Sequence, residues 1–287
     1  MFLQQLVNGL SIGFMYALIA IGFSMVYGIL RIVNFAHGSI FMIGAFLGLV
    51  LARAGLPCVM AFPLAALLTA VVGMSIERFA YRPIRGAARS SALISACGAS
   101  IVLDNLAQVI FGTATEPYRF TIRTFDLGKI TLTDIQIYML VISVILLSLV
   151  FLLVYKTRLG VAMRATSHSN DTALLMGINT NFVISATFAI GSILACVAGI
   201  LIGIYFDAVV ATMGYGYGIK AFAAAVLGGI GNLPGAMLGG MLIGVIETLG
   251  TAYISSGYRN AFAYGIMIIV LVFKPSGILG KNTRDKV

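Results

Sequence analysis

Long apolar runs, separated by short polar segments, make up almost the whole chain. An α-helix needs roughly 20 consecutive apolar residues to cross the hydrocarbon layer of a bilayer, which is about 30 Å thick. The pattern therefore predicts an all-α polytopic membrane protein. Nine transmembrane helices fit best, although hydropathy alone also allows eight or ten. The nine are expected at residues 6–30, 34–51, 57–75, 91–111, 134–155, 182–205, 219–230, 234–253 and 258–273.

The seventh predicted helix, at residues 219–230, is shorter than the others and ends at a break. Residues 228–234 read GGIGNLP, and Pro234, which lacks an amide hydrogen, fits only the first turn of a new helix. We therefore expect a short or broken glycine-rich helix near residues 219–234. The GYGYG run at residues 214–218 is expected to form a flexible turn.

Glycine in this region has two uses, and the sequence leaves both open. Residues 214–250 contain 11 glycines in 37 positions, although each glycine inside a helix costs roughly 1 kcal/mol relative to alanine. Small residues let helices approach closely within lipid. A packing face of this kind is predicted at Gly235, Gly239, Gly240 and Gly244. The alternative is that the short helix lines a pathway, because broken helices at membrane depth are tolerated only inside protein or beside water.

Composition supports a membrane protein. Of the 287 residues, 60% are hydrophobic and only 9% are charged, and the mean hydropathy is +1.06, well beyond the usual range of soluble domains. We expect one transmembrane domain over residues 1–287. The net charge of +9 is assigned to membrane orientation rather than to nucleic-acid binding. The three cysteines are isolated, so neither a disulfide framework nor a metal site follows from them.

The basic residues predict which loops face the cytoplasm, because cytoplasmic loops are enriched in lysine and arginine. The densest basic loop holds Arg78, Arg82, Arg85 and Arg89. A second cytoplasmic segment, at residues 156–181, is marked by Lys156, Arg158 and Arg164. Nine crossings then place the N-terminus outside and the C-terminus in the cytoplasm. That C-terminal tail carries Lys274, Lys281, Arg284 and Lys286.

The cytoplasmic segment 156–181 contains the pattern of a short surface helix. Ser169 and Asn170 are helix-capping residue types, residues 173–176 are apolar, and Gly177 fits a C-terminal cap. An apolar surface on such a helix favours docking of a partner. The alternative is that the helix lies against the cytoplasmic face of its own chain.

Polar side chains inside membrane spans are costly unless they are satisfied, so they are candidates for function. Asn34 and His37 begin the second span, while Asp104 and Asn105 lie on the fourth. The alternative for each is a buried structural hydrogen bond, and Glu247 on the eighth span is interpreted as solvated near the outer end. The candidate residues for a translocation pathway are Asn34, His37, Asp104, Asn105, Gly229 and Asn232.

Several stretches resemble one family of membrane permeases. They are VNGLSIGFMYALIAIGFSMVYGILRIVNFAHG at residues 7–38, ERFAYRPIRG at 77–86 and KAFAAAVLGGIGNLPGAMLGG at 220–240. They look like the LivH-type permeases of branched-chain amino acid ABC importers, and the resemblance covers essentially the full chain. Residues 171–177 resemble the EAA loop of ABC-importer permeases. They depart from it in having Asp and Thr in place of Glu and Ala, and in lacking the later Ile-x-Leu-Pro.

The resemblance implies a multi-pass transport subunit of the bacterial inner membrane, with no cofactor and no catalytic residues. Its implied partners are a homologous LivM-like permease, two cytoplasmic ABC ATPases, a periplasmic solute-binding protein that delivers leucine, isoleucine or valine, and the lipid bilayer. The residues that would couple the permease to its ATPases are Asp171, Ala173, Leu174, Leu175 and Gly177.

The chemical motifs agree with a transport subunit that is not an enzyme. The chain contains no G-x-x-x-x-G-K-[ST] phosphate loop, so ATP hydrolysis is expected in the partner chains. Three alternatives stay open. Related permeases import urea or short-chain amides, and an ion-coupled secondary transporter could use Asp104 as an ionisable coupling site. A channel would need a selectivity ring, for which the sequence gives no pattern.

Overall fold

The computed structural model describes residues 1–126, 128 and 130–280, and most of them are helical. The helices of this described part are α1 (Phe2–Leu30), α2 (Ala36–Arg53), α3 (Cys58–Ile76), α4 (Arg89–Phe111), α5 (Asp134–Lys156), α6 (Arg158–His168), α7 (Asn170–Leu175), α8 (Thr180–Tyr205), α9 (Met213–Gly228), α10 (Leu233–Tyr253) and α11 (Arg259–Phe273). Strands β1 (Thr124–Asp126) and β2 (Thr131–Thr133) form an antiparallel hairpin that the sequence analysis did not predict.

The predicted all-α membrane fold is confirmed. Eight helical segments in the described residues are long and apolar enough to cross a membrane, and they correspond to eight of the nine predicted spans. The remaining prediction, residues 219–230, falls within α9, which has 16 residues. Helix α10 begins at Leu233 with Pro234 in its first turn, as predicted for the break.

The two ends of the described chain lie at opposite ends of the bundle. The Gln4 side chain donates to the Thr131 carbonyl oxygen (2.8 Å) beside the hairpin. Between α9 and α10, the Gly231 backbone N–H donates to Ser24 Oγ (2.9 Å) of α1. The Asn232 side chain donates to the Leu279 carbonyl oxygen (2.7 Å) near the end of the described chain. Because Gln4 and Ser24 are about 30 Å apart along α1, the chain passes between the two ends an odd number of times. Helix α9 therefore also passes between the two ends. It brings the number of passes from eight to nine, and it is the seventh of them along the chain.

One end of the bundle, here called the basic end, collects arginines from several parts of the chain. Arg31 follows α1, Arg85 follows α3 and donates to Asn181 Oδ1 (2.7 Å) at the start of α8, and Arg164 lies on α6. The opposite end, here called the hairpin end, holds β1 and β2. The predicted tail residues Lys281, Arg284 and Lys286 lie outside the described residues.

Helices α1 and α8 form the centre of the bundle, and α4 and α11 form its edge. In the most apolar 18-residue windows of α1 and α8, 78% of residues are buried, against 11% in α4 and 6% in the segment that contains α11. The lateral faces of α4 and α11 are therefore free to contact lipid or another protein.

Close contacts between helix backbones confirm the predicted glycine packing face on α10. Gly240 and Gly244 of α10 lie against the backbone of α1. The facing residue of α1 is Gly13, and a Cβ added to it would lie only 2.9 Å from Met241 Cα of α10. Gly235 and Gly239 lie against the last turns of α9. Dispersion contacts between backbones this close replace the water exclusion that drives packing in soluble proteins.

The flexible turn predicted at residues 214–218 is wrong, because these residues form the first turns of α9. Gly214 and Gly218 pack against Gly38 at the start of α2, where a Cβ on Gly218 would lie 3.0 Å from Gly38 Cα. In an apolar environment an open turn leaves backbone groups unpaired, so the helix is favoured even with three glycines.

Candidate functional site

A cavity of about 370 Å³ lies between the start of α2, the middle of α4 and the first half of α9. We call it the polar cavity because Asn34, His37, Ser100 and Asp104 bring polar side chains to a lining that is otherwise mostly apolar. Its walls include Asn34, Phe35, His37, Ser100, Asp104 and Phe222. The predicted pathway residues Asn34, His37 and Asp104 thus come together in one place, although they lie on two separate parts of the chain.

Asn34 belongs to the non-helical link between α1 and α2, and it is only 1% exposed. Its Oδ1 accepts a hydrogen bond from the Tyr81 hydroxyl (2.8 Å), and Tyr81 packs on Phe188 of α8. Its Nδ2 has no hydrogen-bond partner. Tyr81 therefore fixes the orientation of the amide, and Nδ2 is covered by the surrounding residues.

His37 lies in the first turn of α2 and is 2% exposed. Its backbone N–H donates to the Asn34 carbonyl oxygen (3.2 Å), which fixes the two residues relative to each other. Its ring contacts Phe23 edge to face, with 6.2 Å between ring centroids. The ring nitrogen Nε2 has no partner.

Asp104 faces the same cavity from α4. One turn earlier, Ser100 Oγ lies 2.9 Å from Ser39 Oγ of α2, and this hydrogen bond ties α4 to the beginning of α2. Asp104 Oδ1 is buried and has no partner. The neutral hydroxyls of Ser39 and Ser100 lie within its reach, but none of the salt bridges in the described residues includes this carboxylate, and an uncompensated charge at membrane depth is costly.

Unpartnered buried polar atoms are few in the described part of the chain. Besides Asn34 Nδ2, His37 Nε2 and Asp104 Oδ1, they are Arg85 Nε and Thr248 Oγ1. Each such atom costs about 1–3 kcal/mol relative to a paired one. Three of these atoms belong to residues that line one cavity, which makes that cavity the candidate site.

The other predicted pathway residues lie elsewhere. Asn105 is exposed on α4, and its Nδ2 donates to the Ile101 carbonyl oxygen (2.7 Å). Asn232 lines a larger cavity of about 760 Å³ at the basic end, together with Arg31 and Arg164. Gly229, with φ of 104°, packs against residues 276–280. The candidate residues therefore form one group at the polar cavity and a second near the basic end, and Asn105 belongs to neither.

A buried charged cluster was missed by the sequence analysis. Glu247 is only 1% exposed, so its interpretation as a solvated residue is wrong. Its Oε1 accepts from Lys220 Nζ (2.9 Å) and from Arg259 Nε, and Tyr16 OH donates to both carboxylate oxygens (3.1 and 3.0 Å). Lys220 also lies over the rings of Tyr16 and Tyr217. The cluster joins α1, α9, α10 and α11.

A second tie lies at the basic end, after α3. Arg85 pairs with Glu77, and Ser185 of α8 donates to the other Glu77 oxygen (2.5 Å). Burial lowers the pKa of the Arg85 guanidinium, and the charge of Glu77 opposes that shift. These contacts hold the basic loop against the start of α8.

The predicted surface helix is present as α7. Ser169 caps its first turn by accepting from Thr172 N (3.2 Å). At the other end Gly177 has φ of 78°, Gly177 N donates to the Leu174 carbonyl oxygen (3.0 Å) and the next amide to that of Ala173 (3.0 Å). This is the Schellman arrangement, and it confirms the predicted glycine cap.

The side chains of α7 divide into a buried and an exposed set. Ala173 is 2% exposed, whereas the exposed fractions of Leu174, Leu175 and Met176 are 51%, 88% and 77%. Asp171 is exposed beside them. The longer helix α6, which the sequence analysis did not predict, connects α7 to α5 and packs on α1 and α8. Three large apolar side chains thus project from the basic end.

Within the described residues, no cluster of three or more His, Cys, Asp or Glu side chains could hold a metal ion.

The whole chain is similar to known membrane permeases. A family model described as "Branched-chain amino acid transport system / permease component" matches residues 5–271. The chain is 42% identical to the high-affinity branched-chain amino acid transport system permease protein BraD of Pseudomonas aeruginosa and 38% identical to LivH of Escherichia coli. Each alignment covers 100% of this chain and 98% of the relative.

A more distant relative and one solved structure extend the comparison. The probable branched-chain amino acid transport permease protein LivH of Methanocaldococcus jannaschii is 29% identical over 93% of this chain and 89% of its own length. The structure of PsaBC from Streptococcus pneumoniae in complex with Fab matches with a TM-score of 0.50 and 12% identity, covering 94% of this chain and 90% of that chain. That structural likeness concerns the fold alone.

Proposed function

The chain belongs to the family of branched-chain amino acid transport permease components, and from that premise we propose that it is the permease subunit of an ABC importer for branched-chain amino acids. The observation that carries the proposal is the full-length identity of 42% to a permease named for that transport. In this role the chain forms the route through the membrane and carries out no chemical reaction.

The polar cavity is our proposed part of the translocation pathway. It holds Asn34, His37 and Asp104, and its outer edge includes Tyr215 and Phe35, whose exposed fractions are 73% and 42%. A cavity that opens sideways between α4 and α9 becomes a closed route when a second protein covers it. A homologous, LivM-like permease is the partner we propose for that face, and Asn232 would lie near the cytoplasmic exit.

The ATPase partners are proposed to dock on α7. Leu174 and Leu175 present apolar surface there, Ala173 anchors the helix, and Asp171 and Gly177 bound it. Displacement of α7 would reach α1 and α8 through α6, which packs on both helices. Helix α8 in turn packs on α2, which carries His37. ATP hydrolysis in two cytoplasmic ATPases would move the cavity wall by this route.

The orientation we propose puts the basic end in the cytoplasm. Arg31, Arg85, Arg164 and Lys274 lie at or near this end, in agreement with the bias of lysine and arginine toward cytoplasmic loops. The hairpin end would then face the periplasm of a bacterial inner membrane. A periplasmic solute-binding protein would deliver its amino acid to that end and would make most of the substrate selection.

The decisive test is uptake by the reconstituted transporter. Proteoliposomes would contain this chain, a homologous permease and the ATPases, with ATP inside and binding protein outside. We expect uptake of radiolabelled leucine that requires ATP and continues after a protonophore collapses the ion gradient. An ion-coupled carrier would stop at that point, and a urea or amide permease would transport those solutes instead of leucine. Leucine entry through the purified chain alone, without nucleotide, would refute the proposal.

A further inference from the structure

We propose that the polar cavity is a binding site for a zwitterionic amino acid with an apolar side chain, with the ammonium group at Asp104 and the carboxylate at Asn34. This inference rests on the proposed transport function and adds to it the residues that hold the two charged ends of the solute. It requires that the cavity offer an acceptor, a donor and an apolar wall in one space.

The acceptor is Asp104. Its Oδ1 is buried, the hydroxyls of Ser39 and Ser100 within its reach are neutral, and none of the salt bridges in the described residues includes it. A carboxylate can only accept hydrogen bonds, so the group that completes it must be a donor. An ammonium group brings three donors and the opposite charge, and such charge-assisted bonds are the stronger ones.

The donor is Asn34. Because its Oδ1 already accepts from the Tyr81 hydroxyl at 2.8 Å, the side-chain atom left without a partner is Nδ2, which can only donate. The solute group that completes it must therefore be an acceptor, and a carboxylate is the strongest acceptor on an amino acid. Asn34 is 1% exposed and Nδ2 itself is covered, so contact with the carboxylate requires a movement of the cavity wall.

His37 lies next to Asn34 in the cavity wall. Its backbone N–H donates to the Asn34 carbonyl oxygen. Two residues later in α2, Ser39 is hydrogen-bonded to Ser100 of α4. Ser100 lies one turn before Asp104. A neutral imidazole nitrogen serves as either donor or acceptor according to its tautomer. The unpartnered Nε2 faces α1, where a Cβ on Gly22 would lie 2.9 Å from it, so His37 forms the wall of the cavity and is given no contact with the solute.

The remaining wall suits an aliphatic side chain. Phe23, Phe35 and Phe222 form an aromatic group with centroid distances of 5.5 Å between Phe23 and Phe222 and 6.4 Å between Phe35 and Phe222. Ile101 and Ile219 add branched aliphatic surface. The cavity volume of about 370 Å³ falls in the range of small-molecule sites, about 300–1,000 Å³.

This combination favours an amino acid over urea. Urea offers donors and an acceptor, but it has no charge to neutralise Asp104 and no apolar part to cover Phe35 and Phe222. An uncompensated carboxylate at membrane depth would remain after urea binding. A zwitterion satisfies Asp104 and Asn34 together and fills the apolar wall with its side chain.

The test is a binding cycle that removes either the solute charge or its protein partner. The complex of this chain with its homologous permease and ATPases, purified without binding protein, would be titrated with leucine and with 4-methylpentanoate, which lacks only the ammonium group. We expect the native complex to prefer leucine by about tenfold or more. Asp104→Asn should bind the two ligands equally, and Asp104→Glu should restore the preference.

The carboxylate end is tested independently with Asn34→Leu. Leucine would be compared with 3-methylbutylamine, which lacks only the carboxylate, and the variant should lose the preference for leucine that the native complex shows. The matched control for Asp104→Asn is Asp126→Asn, which makes the same chemical change on the exposed strand β1. It should leave unchanged the preference for leucine over 4-methylpentanoate and over 3-methylbutylamine. Co-purification of the ATPases shows that each variant complex is assembled.

Several outcomes would overturn the inference. They are an unchanged preference for leucine in both Asp104→Asn and Asn34→Leu, absence of leucine binding by a native complex that transports leucine, and tighter binding of urea than of leucine. These results differ from failure of the proposed function, in which the native complex with all its partners shows no ATP-dependent leucine uptake.

Discussion

Lys220 Nζ lies 2.9 Å from Glu247 Oε1 inside the helix bundle, where the two side chains are 7% and 1% exposed. The two residues are 27 positions apart and join α9 to α10. Tyr16 of α1 donates to the same carboxylate, and Arg259 brings α11 to it. The short helix α9 is thus fixed to three neighbours by one buried anion.

Loss of the buried anion should destabilise the protein strongly. Glu247→Gln leaves Lys220 buried without a counter-charge, and removing one partner of a buried pair typically costs about 3–5 kcal/mol. We expect a clear fall in the thermal unfolding temperature of the detergent-solubilised protein. The double variant with Lys220→Met should recover much of the loss, because no buried charge is then left at that position.

The matched control is an ion pair of the same kind at the surface. Arg53 and Glu116 are 2.7 Å apart, with side chains 48% and 32% exposed. Glu116→Gln should cost less than about 1 kcal/mol, because water screens exposed pairs. Equal losses for Glu116→Gln and Glu247→Gln would contradict the assignment of the interior pair as the tie between helices.

Contact between α2 and α8 should depend on the absence of a side chain at Gly44. A Cβ at this position would lie 2.5 Å from Cys196 Cα and 2.7 Å from Cys196 Cβ, so Gly44→Ala must push two central helices apart. Overpacking of this kind costs about 1–3 kcal/mol. Gly98→Ala on α4, where an added Cβ meets nothing within 4 Å, should be neutral or stabilising by up to about 1 kcal/mol. Thermal unfolding of the two variants measures the difference.

The sequence predicted the features that depend on local physical rules. Helix lengths follow from the thickness of the hydrocarbon layer, the break before α10 follows from Pro234, and the cap of α7 follows from Gly177. The high cost of polar groups in lipid identified Asn34, His37 and Asp104, and the structure places them around one cavity.

Features that depend on which helices meet could not be read from one sequence. The Lys220–Glu247 pair requires α9 and α10 to pack as antiparallel neighbours, and hydropathy does not report which face of α10 is buried. Residues 214–218 have the composition of a turn and become helical because α9 packs on Gly38. The one available signal was Lys220 itself, a lysine inside an otherwise apolar run, which is a functional or structural candidate by default.

Docking of the ATPases should depend on the left-handed backbone at Gly177. Its φ of 78° is costly for a β-branched residue, by about 1–3 kcal/mol, so Gly177→Val should distort the end of α7 and reduce the amount of ATPase that co-purifies with the permease. Gly177→Asn is the control, since asparagine adopts this conformation more readily. The amount of permease in the membrane should stay the same for both. Full recovery of ATPase with Gly177→Val would argue against docking on α7.

The odd number of passes makes the orientation testable with three engineered cysteines. Asp126→Cys lies on the hairpin, Leu175→Cys on α7 and Lys274→Cys directly after α11, all at exposed positions. In a background with Cys58 and Cys97 replaced by serine, a membrane-impermeant maleimide added to intact cells with a permeable outer membrane should label only Asp126→Cys. Leu175→Cys and Lys274→Cys should react only after the inner membrane is opened, because α9 supplies the ninth pass and returns the chain to the side of α7. Labelling of Lys274→Cys together with Asp126→Cys in intact cells would mean that α9 does not cross. Labelling of both Leu175→Cys and Lys274→Cys, with Asp126→Cys protected, would reverse the orientation of the whole chain.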